Sequence, residues 1–186
     1  FGPRGAQALV IGPGLGRDDA TTGAVSKILS EASDNDIPVV VDADAIGALP
    51  NGAWPEGLTG VATPHAKEAE RWLGESSAAD ALEGCSGESA TIVVTGPEDL
   101  LTAPEGRSCR ASGGHSRMAV GGTGDLLAGT IGGLLAQGMA AWPAARLGCA
   151  LLREAGARAA QSTGPGLLAE DVPVEIARVL AEWTGA

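Results

Sequence analysis

The chain has 186 residues, 44% of them hydrophobic, and a formal net charge of -11 at neutral pH. This length and composition suit a globular domain with a buried core, and an acidic surface argues against binding of nucleic acid through its phosphates. No apolar stretch reaches membrane-spanning length and no signal peptide is recognisable, so we expect a cytoplasmic protein without membrane contact.

The first half of the chain alternates short apolar runs with segments of helical periodicity, which predicts buried strands joined by helices. The predicted elements are a strand at residues 7–11, a helix at 21–32, strands at 37–41 and 58–62, a helix at 66–73 and a strand at 91–94. Asp18 or Asp19 is expected to cap the first helix, and Gly74 to end the second. Residues 76–89 are small and polar, which favours a flexible surface segment.

The second half of the chain is predicted to form a hairpin followed by helices. The hairpin strands are expected at residues 100–103 and 107–111, and the helices at 124–137, 142–161 and 174–183. Because the first strands are apolar throughout and alternate with helices, the pattern predicts an α/β fold with a mostly parallel sheet covered on both faces. Ligands of such sheets bind beyond the carboxyl ends of the strands, where the unusual residues of this chain fall.

The glycine-rich segment 118–125 carries the richest chemical signal. Gly121, Gly122 and Gly124 let backbone N–H groups converge on an anion, and the following helix adds the positive end of its dipole. Asp125 lies at the start of that helix, where a carboxylate could accept the proton of a hydroxyl that attacks a phosphoryl group. The alternative is an aspartate that only caps the helix.

Residues 12–16, with the sequence GPGLG, follow a strand and precede a helix. Their spacing is not that of the dinucleotide-binding fingerprint, although the backbone could still approach a ligand closely. The alternative is a strained turn between strand and helix.

Asp42 and Asp44 follow the second predicted strand. Two carboxylates two positions apart on an extended segment face the same side, so they could hold Mg²⁺ through water or bind ribose-type hydroxyls. The alternative is that Asp44 caps the next helix. Cys85, Cys109 and Cys149 show no metal-ligand spacing and are expected to be free thiols.

Thr63, Pro64 and His65 follow the third predicted strand. Thr63 is a candidate cap of the next helix, and His65 either donates to a ligand or is structural. His115 lies in a loop rich in Gly and Ser and is expected to be exposed to solvent.

Four segments, in this order and at appropriate spacing, resemble the carbohydrate-kinase-like domain of NAD(P)H-hydrate dehydratases. They read VIGPGLGRD (10–18), VVVDADAIGAL (39–49), TPHAKEAERWLG (63–74) and MAVGGTGDLLAGTIGGLLAQG (118–138). A fifth segment, LLAEDVPVEI (167–176), resembles the closing part of that family.

The resemblance implies a ribokinase-like α/β fold, with residues 1–186 forming one partial domain that lacks the first strands and helix of the family. It also implies an ADP-dependent enzyme that phosphorylates the hydroxyl of hydrated NADH or NADPH and eliminates phosphate, giving NAD(P)H and AMP. ADP and Mg²⁺ are the expected cosubstrate and cofactor. A homo-oligomer is expected, together with a NAD(P)H-hydrate epimerase that is either fused or separate.

The resemblance also assigns roles to residues of the motifs, with Asp125 as the group that activates the hydroxyl. The residues expected to contact the hydrated dinucleotide are Gly14, Gly16, His65 and Asp125. The residues expected to contact the nucleotide are Thr95, Gly96, Asp99, Gly121, Gly122, Thr123 and Gly124.

Thr95 departs from the family pattern, which usually has Lys at this position. The loss of a cation beside the phosphates predicts weaker nucleotide binding or activity. The segment between Gly74 and Thr91 is also shorter than in the family.

Three other functions are weighed against this one. A small-molecule kinase of the same fold is the nearest alternative, and a nucleotide-binding module without catalysis is a second, favoured by Thr95 and opposed by the intact GGTGD segment. A hydride-transferring oxidoreductase is third, because the dinucleotide fingerprint is missing.

Overall fold

The computed structural model describes residues 5–185. Within them, six strands form one sheet whose spatial order is the chain order. The strands are β1 (Leu9–Ile11), β2 (Val39–Val41), β3 (Gly60–Ala62), β4 (Ala90–Val94), β5 (Asp99–Thr102) and β6 (Ser108–Ala111). β1 to β4 pair in parallel, whereas β5 and β6 form an antiparallel hairpin. The predicted mostly parallel sheet is therefore confirmed.

Helices lie on both faces of the sheet. The α-helices are α1 (Asp19–Asp34), α2 (Ala66–Leu73), α3 (Ala78–Ala81), α4 (Thr123–Ala136), α5 (Ala141–Thr163) and α6 (Val172–Thr184). Short 3₁₀ helices occur at Ala43–Ala48, Ser116–Met118, Gly164–Gly166 and Ala169–Asp171. No helix within residues 5–185 is long and apolar enough to cross a lipid bilayer.

The central strands are buried on both sides, which explains why they are apolar throughout. In β2, Val40 packs into a cluster with α4, α5 and α6. Val39 and Val41 point to the other face and pack with α1, α2 and the 3₁₀ helix that follows β2. β-Branched residues suit such positions because they pack well on a pleated surface. The sheet thus separates two hydrophobic layers.

Two glycines let α4 approach its neighbours closely. A Cβ at Gly132 would overlap the side chain of Val10 in β1, and a Cβ at Gly148 in α5 would lie 2.6 Å from Ile131 Cγ1 in α4. Helix α4 therefore packs closely against both the sheet and α5, which lies beside it on the same face. This packing fixes the position of the N-terminus of α4 relative to the sheet.

Several predicted element boundaries are corrected by the structure. Asp18 caps α1 by accepting from the Thr21 N–H (2.9 Å), as expected, but α1 extends to Asp34. The segment predicted to be flexible contains α3, which Ser77 and Asp80 start with reciprocal capping hydrogen bonds. Ala81 and Leu82 of this segment are buried and pack in the hydrophobic layer that contains α1 and α2.

Candidate active site

The loops that follow β1 to β4 meet at one edge of the sheet. Parallel pairing brings Ile11 beside Val41, and Val41 beside Ala62. Past the strands, the Thr95 N–H donates to the Pro64 carbonyl (2.9 Å), which joins the loop after β3 to the end of β4. The segments that follow the four parallel strands were predicted to share one site, and they therefore lie along one edge. These segments are 12–16, 42–44, 63–65 and 95–99.

The loop after β1 rests directly on the backbone of the loop after β2. Gly12 has a φ of +137°, and a Cβ there would overlap the carbonyl oxygen of Asp42, so only glycine fits. Gly14 has a φ of +71° and no described atom within 4 Å of a Cβ position. Its backbone is therefore open to a ligand. Gly16 is also exposed but donates its N–H to Asp44 Oδ2 (3.0 Å).

Asp44 is held by the protein itself. Arg17 Nε donates to Asp44 Oδ1 (2.5 Å), and this bond together with the Gly16 N–H holds the pKa of the Asp44 carboxyl below its usual range. Asp44 does not cap a helix, because the 3₁₀ helix already begins at Ala43. Ala43 has a φ of +48°, so residues 42–44 are not extended and the predicted same-side arrangement of the two carboxylates is wrong.

Asp42 is the buried carboxylate of the site, with 5% of its surface exposed. It accepts a hydrogen bond from Thr63 Oγ1 (2.8 Å). Burial raises the pKa of Asp42, and the negative charges of Glu68 and Asp125 act in the same direction. Within residues 5–185 no group of three or more His, Cys, Asp or Glu side chains is arranged to hold a metal ion. Binding of Mg²⁺ through water by Asp42 and Asp44 stays a prediction.

His65 starts helix α2, so the predicted cap at Thr63 is wrong by two residues. Its Nδ1 accepts from the backbone N–H groups of Lys67 (3.1 Å) and Glu68 (3.3 Å), and Glu68 Oε2 accepts the His65 N–H in return. Because Nδ1 is an acceptor, the neutral ring carries its proton on Nε2. The side chain is 53% exposed, and its Nε2 lies 3.5 Å from Glu68 Oε1.

The glycine-rich loop ends at Gly122, which has a left-handed backbone and forms the N-cap of α4. Thr123 Oγ1 donates back to the Met118 carbonyl (2.8 Å), which closes the loop onto the helix start. Asp125 lies in the first turn, is exposed, and makes no hydrogen bond within the described part of the chain. It is not the cap, so the capping alternative for Asp125 is not supported.

The turn from Thr95 to Asp99 divides between surface and interior. Thr95 is half-buried and Gly96 exposed at the end of β4, where a nucleotide could reach them. Asp99 is 6% exposed, accepts from the Gly96 N–H (3.2 Å) and forms an ion pair with Arg153 (2.8 Å). The Asp99 side chain is thus taken up by the protein interior, and contact of this residue with the nucleotide stays a prediction.

His115 also differs from its prediction. Its ring is half-buried, and Nδ1 accepts from the Arg117 N–H (3.1 Å) at the start of the 3₁₀ helix Ser116–Met118. The capping role of His115 could not be predicted, because in sequence a histidine within a loop of Gly and Ser looks like any exposed polar residue.

Sequence reasoning missed a cavity of about 250 Å³ beside the site. Arg17 borders it and pairs with both Asp44 and Glu68, the second at 3.5 Å. The polar residues that line the cavity are Arg17, Thr22, Asp44, Asn51, Glu68 and Arg71. These residues belong to separate predicted elements, and the charge pattern alone did not bring them together.

Comparison with known proteins was made for both sequence and structure. A family model described as NAD(P)H-hydrate dehydratase matches residues 4–178. A protein of Mycobacterium leprae named bifunctional NAD(P)H-hydrate repair enzyme Nnr is 35% identical over 182 residues, which cover 94% of this chain and 37% of that protein. A protein of Neisseria meningitidis named ADP-dependent (S)-NAD(P)H-hydrate dehydratase is 35% identical over 179 residues, covering 89% of this chain and 60% of that protein.

Among solved structures, the ADP/ATP-dependent NAD(P)H-hydrate dehydratase of Bacillus subtilis, co-crystallised with ATP and Mg²⁺, superimposes with a TM-score of 0.72. It is 26% identical and is matched over 95% of this chain and 65% of its own. The chain thus spans less than two thirds of each of these three proteins. The ribokinase-like fold expected from the sequence is confirmed.

Proposed function

We propose the following activity for this chain, which belongs to the NAD(P)H-hydrate dehydratase family. ADP transfers a phosphoryl group to the hydroxyl of hydrated NADH or NADPH, and phosphate is then eliminated together with a ring proton. The products are NADH or NADPH, AMP and inorganic phosphate. The proposal is supported by the name of the Neisseria relative, which is ADP-dependent.

The observation that carries the proposal is the environment of Asp125. Its carboxylate is exposed in the first turn of α4, without a hydrogen bond in the described part of the chain, and next to the loop Gly121–Gly124. The first N–H groups of an α-helix lack partners within the helix and attract phosphate. A hydroxyl held beside Asp125 can therefore lose its proton to this carboxylate while its oxygen attacks a phosphoryl group bound at the helix N-terminus.

Two other groups orient the hydrated ring in this proposal. His65 offers its Nε2–H to a carbonyl or hydroxyl of the substrate, and its ring is fixed by two backbone donors at Nδ1. Gly14 offers an unobstructed backbone on the opposite loop. Both would restrict the motion of the substrate, which converts binding energy into correct orientation of the reacting hydroxyl.

Mg²⁺ fits the reaction as a companion of the nucleotide. Asp42 accepts from Thr63 and Asp44 is paired with Arg17, so neither carboxylate is free to hold a bare ion. Water and the phosphates of the nucleotide remain as oxygen donors, since Mg²⁺ usually keeps several waters and binds substrate phosphates. When bound, the ion would neutralise charge on the transferred phosphoryl group.

The test is regeneration of NADH from its hydrate by the purified chain with ADP and Mg²⁺. We expect NADH to reappear only when ADP is present, with AMP and inorganic phosphate in equal amounts. Folded protein that binds ADP but releases no NADH would contradict the activity and indicate a nucleotide-binding module. Transfer of phosphate to a small alcohol without NADH would indicate a kinase.

The wider setting of the enzyme is part of the same proposal. The Mycobacterium relative is named bifunctional, which supports cooperation with a second repair activity, a NAD(P)H-hydrate epimerase, fused or separate. The free cysteines Cys85, Cys109 and Cys149 and the nicotinamide substrate support a cytoplasmic location. Assembly into a homo-oligomer is also proposed and is measured by light scattering.

A further inference from the structure

Arg153 is a charged residue in the middle of helix α5, and 9% of it is exposed. Its guanidinium donates four hydrogen bonds. Nε donates to Asp99 Oδ2 (2.8 Å), Nη2 to the Gly96 carbonyl (2.9 Å), and Nη1 to the carbonyls of Pro97 (2.9 Å) and Gly113 (2.8 Å). A buried arginine needs this degree of pairing, because each unpaired donor would cost free energy.

The four acceptors belong to two separate segments. Gly96, Pro97 and Asp99 form the turn between β4 and β5, and Gly113 starts the loop that leads to the N-terminus of α4. These segments lie 40 to 57 residues before Arg153 in the chain. One planar guanidinium therefore sets the distance between the end of β4 and the segment that leads into the glycine-rich loop.

A second contact on the same helix supports this arrangement. The Met118 side chain packs where a Cβ at Gly156 would lie, and its sulfur also contacts the position of a Cβ at Gly114 (3.5 Å). Thr123 Oγ1 in turn donates to the Met118 carbonyl. The segment 113–118, which leads into the glycine-rich loop, is thus tied to α5 at its start through Arg153 and at its end through Met118.

The charge of Arg153 is already balanced. Asp99 pairs with it at 2.8 Å and is itself buried, so the pair presents little net charge to the site. The three carbonyls take up further donors of the guanidinium. Any effect of Arg153 on a bound anion must therefore come from the geometry of the two segments and not from direct attraction.

We propose that Arg153 is a positioning residue for the nucleotide, which holds the turn after β4 and the glycine-rich loop at the spacing that ADP requires. The inference rests on the proposed function, since both segments are the ones expected to contact ADP. Arg153 gives the turn after β4 a defined shape, although Thr95 brings no cation to this turn.

The experiment compares Arg153→Lys with Arg158→Lys. Lysine keeps the positive charge beside Asp99 but cannot donate to acceptors in four directions. Arg158 is the matched control, because it lies on the same helix and pairs with Glu154 and Glu182 at the surface. We expect Arg153→Lys to raise the Kd and KM for ADP about tenfold, with kcat and the KM for the hydrate within about threefold of the wild type. Arg158→Lys should change none of these values by more than about twofold.

A second measurement uses the unmodified protein and covers the case in which Arg153→Lys fails to fold. Hydrogen exchange should show that ADP protects the amides of residues 95–99 and 113–118 together and to a similar degree, because one side chain holds both segments. Protection of one segment without the other would overturn the proposal. A variant that melts at a lower temperature but binds ADP normally below its transition would also overturn it, since the role would then be structural only.

The outcomes for the proposed function are distinct. A wild-type chain that binds ADP but regenerates no NADH contradicts the activity, and the ADP affinity of Arg153→Lys still decides the role of Arg153. A wild-type chain that binds no ADP contradicts both.

Discussion

Three aspartates of the site show how environment divides one residue type into different roles. Asp99 is buried and paired with Arg153, and Asp42 is buried and accepts a hydrogen bond from the neutral hydroxyl of Thr63. Asp125 is exposed and makes no hydrogen bond within residues 5–185. Only Asp125 therefore combines access to a ligand with a carboxylate free to accept a proton.

The first prediction concerns Asp125→Asn. The amide keeps the shape of the side chain but cannot accept a proton, so turnover should fall by about 10²–10⁴. The melting temperature should change little, because Asp125 is exposed and is not the N-cap of α4. The Kd for ADP should hold or decrease slightly, since a negative charge near the phosphates is removed. Turnover is measured by NADH recovery, and ADP binding by titration.

A matched control is Asp34→Asn, an exposed aspartate at the C-terminal end of α1. It should leave NADH recovery unchanged. If Asp125→Asn repaired the cofactor as fast as the wild type, Asp125 would not be the base.

The second prediction concerns the buried Asp42. Because burial raises its pKa, the folded protein binds more protons than the unfolded chain between the ordinary and the raised value. The free energy of unfolding should therefore fall as the pH rises through this window. Asp42→Asn keeps an acceptor for Thr63 and carries no charge, so at neutral pH it should be more stable than the wild type by about 1 kcal/mol.

Urea unfolding of both proteins at several pH values tests this prediction. The difference in free energy should shrink as the pH is lowered toward the ordinary range of an aspartate, because Asp42 is then protonated in the wild type. A difference that does not depend on pH would mean that Asp42 is not the group responsible.

At the scale of elements, the apolar runs predicted strands and helices well, because burial on both faces leaves few alternatives. β1 to β4, the hairpin and the long helices all lie close to the predicted residues. α3 was not predicted, since its capping residues Ser77 and Asp80 lie in a polar segment of low helical periodicity. The bounds of α2 were predicted correctly, but its cap was misassigned to Thr63, because histidine is an uncommon N-cap and Thr63 instead binds Asp42.

The elements that bound the candidate site were equally predictable, and its contacts were not. Three motifs and the turn 95–99 follow the four parallel strands, so their convergence follows from the topology, whereas the glycine-rich segment follows β6. The family that they indicate is confirmed. The ion pair of Asp99 with Arg153 joins residues that are 54 positions apart, and no local sequence pattern predicts it. Helix α5 also carries Arg146, Glu154 and Arg158, so no sequence pattern singled out Arg153 as part of a buried ion pair.

The third prediction concerns the packing of α4 on α5. In Gly148→Ala the new Cβ would lie 2.6 Å from Ile131 Cγ1, and Ile131 is fully buried. Overpacking of this kind costs about 1–3 kcal/mol, which exceeds the gain of about 0.5–1 kcal/mol from replacing glycine in a helix. Gly148→Ala should therefore lower the free energy of unfolding, and NADH recovery should fall if the N-terminus of α4 moves.

Gly133→Ala is the control for this prediction. Gly133 lies on the exposed face of α4 with no described atom within 4 Å of a Cβ position, so alanine should stabilise the protein by about 0.5–1 kcal/mol. Both variants are compared by urea denaturation. Equal stabilisation by the two alanines would show that α4 and α5 are not tightly packed at Gly148.

At the scale of the whole molecule, ligand binding must couple to global stability. The proposed ADP site involves β4, α4 and the loops between β1 and α2, so it draws on both hydrophobic layers. We expect ADP at a hundred times its Kd to stabilise the folded state by about 2.7 kcal/mol. For a chain of this size the melting temperature should rise by about 5–10 °C.

Adenosine is the comparison ligand, because it lacks the phosphates that the N-terminus of α4 would bind. Its effect on the melting temperature at equal concentration should be much smaller. An equal shift with adenosine would point to recognition of the base alone, and the absence of any shift with ADP would contradict a nucleotide site.

The two hydrophobic layers also become complete at different times during biosynthesis. The residues that cover one face of the sheet come mainly from the first half of the chain, whereas α4, α5 and α6 cover the other face and are translated later. A ribosome that has released only residues up to about 120 therefore presents Val40, Val61 and Val93 without a cover. Such an exposed sheet face is prone to aggregation and is a natural target for chaperones. Helix α5 thus covers an aggregation-prone face of the sheet, in addition to organising the proposed ligand site.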